Sequence, residues 1–121
     1  MTLIIRDERG KPVTDKNPII IEHNGTLGDE VTLPLMIENT SKDHFHRDIS
    51  ISVDPKPPVD SLLNLPTAPN PGYYGPRIGI KRINPLEKVT FFYKSIVKTD
   101  TPEQVVTGTI LHITSLEFPL S

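Results

Sequence analysis

The stretch from Gly28 to Asn39, which reads Gly-Asp-Glu-Val-Thr-Leu-Pro-Leu-Met-Ile-Glu-Asn, decides the fold class. Aliphatic residues occupy every second position from Val31 to Ile37, so one parity of this stretch is uniformly apolar. A period of two places those side chains on one face of a strand. Turn-forming residues lie at both ends, so we predict a half-buried strand with further strands laid around it. Pro34 cannot donate to a ladder, and we therefore expect this strand to be bulged or to lie at an edge for part of its length.

The amino-acid composition favours strands along the whole chain. Of the 121 residues, 14 are Ile, 8 are Val and 12 are Thr, whereas Ala68 is the single alanine. β-Branched side chains lose rotamer freedom in a helix and pack well on a pleated surface. Each of the 13 prolines removes a backbone donor and would break a helix interior. The composition predicts an all-β protein with almost no helix.

Charge and cysteine content narrow the classes of partner. The chain contains no cysteine, which excludes disulfides and thiolate metal sites. Its net charge of -2 and its isoelectric point near 6.0 provide no overall basic field, so we expect neither nucleic acid nor an anionic membrane as a partner. The apolar run near the N-terminus ends at Arg6, which is too early for a signal peptide, and we expect synthesis in the cytoplasm.

The N-terminal residues leave two alternatives open. Leu3, Ile4 and Ile5 precede a charged turn near Gly10. Residues 1–16 are therefore either an edge strand or an arm that docks on another subunit, because terminal segments are poorly ordered unless something holds them. We expect residues 17–121 to form one sandwich domain.

The next predicted strand lies between Asp43 and Pro55 and carries two histidines. We predict that one parity faces inward, namely Phe45, Ile49, Ile51 and Val53. The other parity would then place His44, His46 and Asp48 on the solvent face. Two histidines separated by one residue on a strand can both reach a zinc ion, but a fourth ligand is not evident. We interpret the row as a solvated polar face and predict no metal site and no cofactor.

A proline-rich segment, residues 54–76, interrupts the strand pattern. It holds seven of the 13 prolines and shows neither a helical nor an alternating period. We predict one long loop inserted in the domain, and a loop of this length is usually functional or disordered. Its leucines and tyrosines either contact a partner protein or fold back over an open end of the core.

Three later segments complete the predicted sheet structure. Residues 77–83 and 89–97 are again predicted as strands, with Val89, Phe91 and Tyr93 on one face of the second segment. Residues 105–113 are predicted as the last long strand, and the apolar tail after Ser115 is expected to pack on something. About seven short strands separated by turns predict an immunoglobulin-like antiparallel β-sandwich.

Catalytic motifs are not evident in the sequence. It contains no Gly-x-Ser-x-Gly elbow, no phosphate-binding glycine loop and no His-Glu-x-x-His motif. Three readings remain open: a structural protein that binds other proteins, an adhesive or carbohydrate-binding module, and a metal-dependent enzyme built on His44, His46 and Asp48. We favour the first, and so predict no enzyme activity.

A small cysteine-free domain with an Asn-Thr-Ser turn after the strand Val31 to Ile37, and with an apolar Leu-Glu-Phe-Pro-Leu tail, resembles the small Ig-like accessory proteins of tailed bacteriophage virions. The resemblance implies a virion protein, made in the host cytoplasm, that decorates or cements the capsid or sits on the tail. Its partners would be the major capsid protein or other virion subunits, and self-association stays open. The residues that we predict to contact a partner are Leu3, Ile4, Ile5, Pro57, Pro58, Leu62, Leu63, Leu65, Tyr73, Tyr74, Phe118 and Leu120.

Overall fold

A computed structural model of the chain describes residues 2–23, 27–54, 59–67, 72–98, 105–109 and 111–120, with the backbone alone at 105–108. These residues contain nine strands and no helix, as the composition predicts. The strands are β1 (Leu3–Arg6), β2 (Ile19–His23), β3 (Glu30–Asn39), β4 (His44–Val53), β5 (Val59–Asn64), β6 (Arg77–Ile83), β7 (Lys88–Val97), β8 (Val105–Thr109) and β9 (Leu111–Pro119).

The strands form antiparallel sheets around one hydrophobic core. One sheet has the order β1-β3-β7-β5, a second has the order β6-β4-β9, and β2 pairs with β8. The core cluster takes Ile37 and Phe91 from the four-stranded sheet and Ile51 and Ile83 from the three-stranded sheet, and all four are buried. This is the arrangement of an antiparallel β-sandwich.

Strand β3 has the predicted parity, and its pairing explains Pro34. Leu35 and Ile37 are buried, and the register with β7 runs without a break from Glu30 to Glu38. Strand β1 pairs only with Met36 to Asn39, so the part of β3 that contains Pro34 is an edge on that side. The Asn39 N–H donates towards β7, at Glu87 O, and hydrogen-bonding directions alternate along a strand. Position 34 therefore faces the open edge, where a missing N–H breaks no ladder bond, and the prediction of a partial edge is confirmed.

Residues 3–6 form an edge strand of the four-stranded sheet. Leu3 pairs with Asn39 and Arg6 pairs with Met36. Leu3 and Ile5 are buried in the core, while Ile4 is half-buried on the outer face. The edge-strand alternative thus describes this segment, and the apolar side chains of Leu3 and Ile5 are occupied within the domain.

The predicted parity of β4 is wrong in its first half. His46 is buried, whereas Phe45 lies on the outer face. The pairing with β9 shifts by one residue between Arg47 and Ser50, and Asp48 within this bulge has a φ of 52°. An extra residue in one strand exchanges the two faces beyond it. Ile49, Ile51 and Val53 face inward as predicted, but the residues before the bulge point the opposite way.

The segment 54–76 is not one structureless loop, so that prediction is also wrong. Strand β5 lies within it and pairs with β7 along its whole length, from Val59 opposite Val97 to Asn64 opposite Phe92. A bridge between Leu63 and Gly75 then returns the chain to the same sheet. Pro57 and Pro58 lie outside the described residues.

The predicted last strand, residues 105–113, is divided between two pairings. β8 ends at Thr109, opposite Ile19 of β2, and β9 begins at Leu111, opposite Val53 of β4. The C-terminal tail continues β9 to Pro119, and the Leu120 N–H donates to Asp43 O at 2.8 Å. The tail is therefore part of the three-stranded sheet. Strand β5 and the division of the last strand into β8 and β9 raise the predicted count of about seven strands to the nine in the described residues.

Candidate functional site

The predicted contact residues of the 54–76 segment separate into two groups. Leu63 and Leu65 are buried in the core, so they cannot serve a partner in this fold. Their alternative role, covering the core, is the one that the structure shows. Leu62 lies on the outer face of the four-stranded sheet, opposite Lys94 of β7.

Of the two tyrosines, Tyr74 lies on the same face of the four-stranded sheet as Leu62, beside Lys94. The Lys94 Nζ atom is 3.9 Å from the centroid of the Tyr74 ring, a cation–π contact. Asn64 Nδ2 donates to the Tyr73 carbonyl at 2.7 Å and holds the backbone there. The Tyr73 side chain is 64% exposed. The structure thus brings Leu62 and Tyr74 together beside Lys94, whereas Tyr73, next to Tyr74 in the chain, is exposed.

A second group of exposed apolar residues lies on the outer face of the three-stranded sheet. Phe118 of β9 stacks on Phe45 of β4, with ring centroids 5.5 Å apart and an interplanar angle of 25°. Phe118 is 37% exposed, and Leu116 and Leu120 beside it are 50% and 49% exposed. Phe118 and Leu120 were predicted as contact residues from the sequence, whereas Phe45 and Leu116 were not.

Two arginines extend this aromatic stack. The guanidinium carbon of Arg82 lies 3.8 Å from the centroid of the Phe45 ring, and that of Arg47 lies 5.2 Å from the centroid of Phe118. Arg82 belongs to β6 and Phe118 to β9, on opposite sides of β4, so the Phe45 ring is held between them. We call this surface, formed by Phe45, Arg47, Arg82, Leu116 and Phe118, the Arg–Phe face. Arginine and aromatic side chains are enriched among the residues that dominate protein interfaces.

His46 belongs to a hydrogen-bonded chain and not to a solvent-facing metal site. Thr2 Oγ1 donates to Glu117 Oε1 at 2.7 Å and therefore accepts from His46 Nε2 at 2.6 Å. In the neutral ring, His46 Nδ1 then accepts from Ser115 Oγ at 2.9 Å. Burial lowers the pKa of His46, and the hydrogen bond from Thr2 lowers the pKa of Glu117. Both ring nitrogens are thus used, and they join β4 to β9 and to Thr2, the residue before β1.

The rest of the predicted histidine row is also occupied locally. His44 Nδ1 lies 2.8 Å from Asp43 Oδ1, within the turn that enters β4, and Asp48 lies in the bulge. Across the described ranges, no three His, Cys, Asp or Glu side chains are grouped so that they could hold a metal ion.

A second buried histidine has the atom pattern of a Ser–His–Asp triad. His23 Nδ1 lies 2.8 Å from Asp29 Oδ2, and His23 Nε2 lies 2.9 Å from Ser95 Oγ. A triad needs its serine at a surface where a substrate carbonyl can approach. Ser95 has 0% exposure and His23 is also buried. The arrangement therefore satisfies polar groups inside the sandwich and does not present a nucleophile.

A groove of about 330 Å³ lies along the open edge of β3, where Leu33 to Leu35 meet residues 7–20. Asp7 and Glu8 are its two carboxylates, and Asp7 accepts hydrogen bonds from the backbone N–H groups of Arg9 and Lys11 at 2.9 and 3.0 Å. Asp7 thus stabilises its own turn, and among the described residues neither carboxylate is hydrogen-bonded to a side-chain partner that could complete an acid–base pair.

Nothing in the described part of the chain forms a helix long and apolar enough to cross a membrane. No protein-family model matches the sequence, and no curated protein or solved structure is similar enough to count as a match.

Proposed function

We propose that the chain is a non-enzymatic structural protein that acts by binding other proteins. The observation that carries this proposal is the Arg–Phe face, where two stacked phenylalanines, two arginines and an exposed leucine lie together on one side of a rigid sheet. A surface of this composition is typical of the centre of a protein interface. Leu62 and Tyr74, which lie beside Lys94, supply a second contact area, and Tyr73, next to Tyr74 in the chain, is exposed.

The two histidine networks support a non-enzymatic role. The His23 network has the atom pattern of a catalytic triad, yet both networks bury their histidine among partners that use both ring nitrogens. Residues that serve a reaction need a site for the substrate within hydrogen-bond reach. In both networks the geometry explains packing and polar satisfaction.

The finer proposal follows the resemblance noted in the sequence. The sandwich would be immunoglobulin-like, and the chain would be an accessory protein of a tailed bacteriophage virion that decorates or cements the capsid, or sits on the tail. Binding across joints of the major capsid protein would stabilise the shell by mass action, because a ligand that binds only the assembled state shifts the equilibrium towards assembly. The Arg–Phe face supports this proposal by offering a preformed contact surface.

Immunogold labelling of particles from the source of the chain tests the proposal. We expect label on the particle, and we expect Phe118→Asp to abolish incorporation while the fold is retained. Ile20, which is also exposed, provides the matched control: Ile20→Asp should be incorporated normally. Particles without label, or equal incorporation of both variants, would argue against a virion protein that uses this face.

The exposed Tyr73 favours one second candidate, an adhesive or carbohydrate-binding module. An exposed aromatic ring can pack on a sugar, and Tyr73 is the most exposed large hydrophobic residue of the described chain. Binding on a glycan array that disappears in Tyr73→Ala would support this alternative over the structural protein.

A further inference from the structure

The Arg–Phe face lies within a cluster of unpaired positive charges. Arg47, Arg77, Lys81 and Arg82 lie on neighbouring strands β4 and β6, and all four are exposed. Within the described residues none of them forms an ion pair, and Asp48 at the adjoining bulge pairs with none of them. The chain as a whole carries a net charge of -2, so this face has the opposite sign to the rest of the molecule.

The guanidinium of Arg82 is held in place before any partner arrives. Its Nε atom donates to Asn84 Oδ1 at 2.6 Å, and its guanidinium carbon lies 3.8 Å from the centroid of the Phe45 ring. The two Nη groups make no hydrogen bond with other described residues. A fixed, planar fork of donors suits bidentate binding of a carboxylate, and less side-chain entropy is lost when it binds.

The stack of Phe45 and Phe118 also limits which ligands can bind to this face. Nucleic acids and sugars bind aromatic platforms by stacking on free ring faces. The Phe45 ring lies between Arg82 and Phe118, and Arg47 lies over the ring of Phe118. Exposed Leu116 instead provides aliphatic area, which a protein surface would cover.

We propose that the Arg–Phe face binds an acidic segment of a protein partner. Carboxylates of that segment pair with Arg82 and Arg47, and its apolar side chains pack on Leu116 and Phe118. This inference rests on the proposed protein-binding function and names the chemistry of the partner.

A binding measurement with the whole chain tests the proposal. The probe is a short fluorescein-labelled peptide that alternates glutamate with leucine, compared with the same peptide carrying glutamine for glutamate and with labelled oligothymidylate. Fluorescence anisotropy should show that the glutamate peptide binds most tightly. Arg47→Gln with Arg82→Gln should weaken that binding by about tenfold. The free energies of the partly exposed charge pairs and of the charge-assisted hydrogen bonds that are lost add up to about this factor.

Two further variants separate specific pairing from bulk charge. Arg9→Gln with Lys16→Gln removes the same charge at exposed positions away from the face, and we expect the affinity to stay within about twofold because such distant charges are screened. Arg82→Lys keeps the charge but removes the fork, and should lose part of the affinity. Circular dichroism melting curves confirm that each variant is folded.

Equal binding of the glutamate and glutamine peptides would overturn the proposal, as would equal losses in the two double variants. Tighter binding of oligothymidylate would assign the face to nucleic acid instead. The proposed function fails separately: a labelled particle combined with no peptide preference refutes only the acidic partner, whereas peptide preference with an unlabelled particle refutes only the virion role.

Discussion

Removing the Ser95 hydroxyl tests whether the Ser95–His23–Asp29 arrangement is structural. A carboxylate can only accept, so in the neutral ring His23 Nδ1–H donates to Asp29, and Nε2 accepts from the Ser95 hydroxyl. Ser95→Ala leaves Nε2 without that partner at a site with no solvent exposure. An unsatisfied buried polar group costs about 1–3 kcal/mol.

Urea denaturation measures this loss. For a domain of this size the free energy of unfolding falls by about 1–3 kcal/mol per molar urea, so a loss of about 2 kcal/mol lowers the midpoint by about 1 M. Ser52→Ala, at a half-buried position on the outer face of β4, is the matched control and should change stability by less than about 0.5 kcal/mol.

An ester-hydrolysis assay with p-nitrophenyl acetate accompanies the denaturation series. We expect the wild-type chain and Ser95→Ala to hydrolyse the ester equally, at the rate that surface groups and buffer provide. An unchanged midpoint together with a loss of hydrolysis in Ser95→Ala would refute the structural interpretation, because the serine would then be reaching substrate.

Three other predictions follow from the backbone and from the pKa of His46. Pro34→Thr should change the free energy of unfolding by less than about 1 kcal/mol, yet it should increase self-association in sedimentation experiments, because the new N–H faces the open edge of β3. Leu35→Pro removes both a donor that faces β7 and a buried core side chain, and should cost more than about 3 kcal/mol. Burial lowers the pKa of His46 from its ordinary 6.5, so the unfolded chain binds a proton more readily and stability should fall as the pH drops below 6.5 towards the lowered folded value; His46→Gln should flatten this slope in urea midpoints measured across that range. Asp48 has a left-handed φ, so Asp48→Gly should raise the melting temperature, whereas Asp48→Val should lower the free energy of unfolding by about 1–3 kcal/mol.

Period-two patterns predicted the strands in which successive inward positions are apolar. Leu35 and Ile37 of β3 and Phe91 and Tyr93 of β7 lie where the alternation placed them. Strand β5 escaped detection because its inward position between Val59 and Leu63 is Ser61, a polar residue. The structure shows why serine is tolerated there: its hydroxyl lies 3.0 Å from the Tyr93 hydroxyl, inside the sandwich.

The bulge in β4 could not be read from the sequence, since Asp48 carries no signal of its left-handed backbone. Without it, the alternation assigned Phe45 to the core and His46 to solvent. The burial of His46 is possible because Thr2 and Ser115 satisfy its ring nitrogens, and both are distant in sequence. Local patterns do not reveal partners of that kind.

The candidate contact surface was predictable only in part, for a related reason. Phe118 was identified from the apolar tail, but the Arg–Phe face joins residues from β4, β6 and β9. Strand order and register decide which side chains become neighbours, and neither follows from periodicity. Arg82 contacts Phe45 because β6 pairs with β4, and Phe118 contacts it because β9 pairs with the other edge of β4.

Electron cryomicroscopy of the native particle, with the chain located in the map, tests most directly whether the protein acts through the Arg–Phe face. Our account predicts that the outer surface of the β6-β4-β9 sheet lies against another subunit, with acidic side chains of that subunit next to Arg47 and Arg82. A particle without the chain, or a map in which this surface faces solvent, would contradict it.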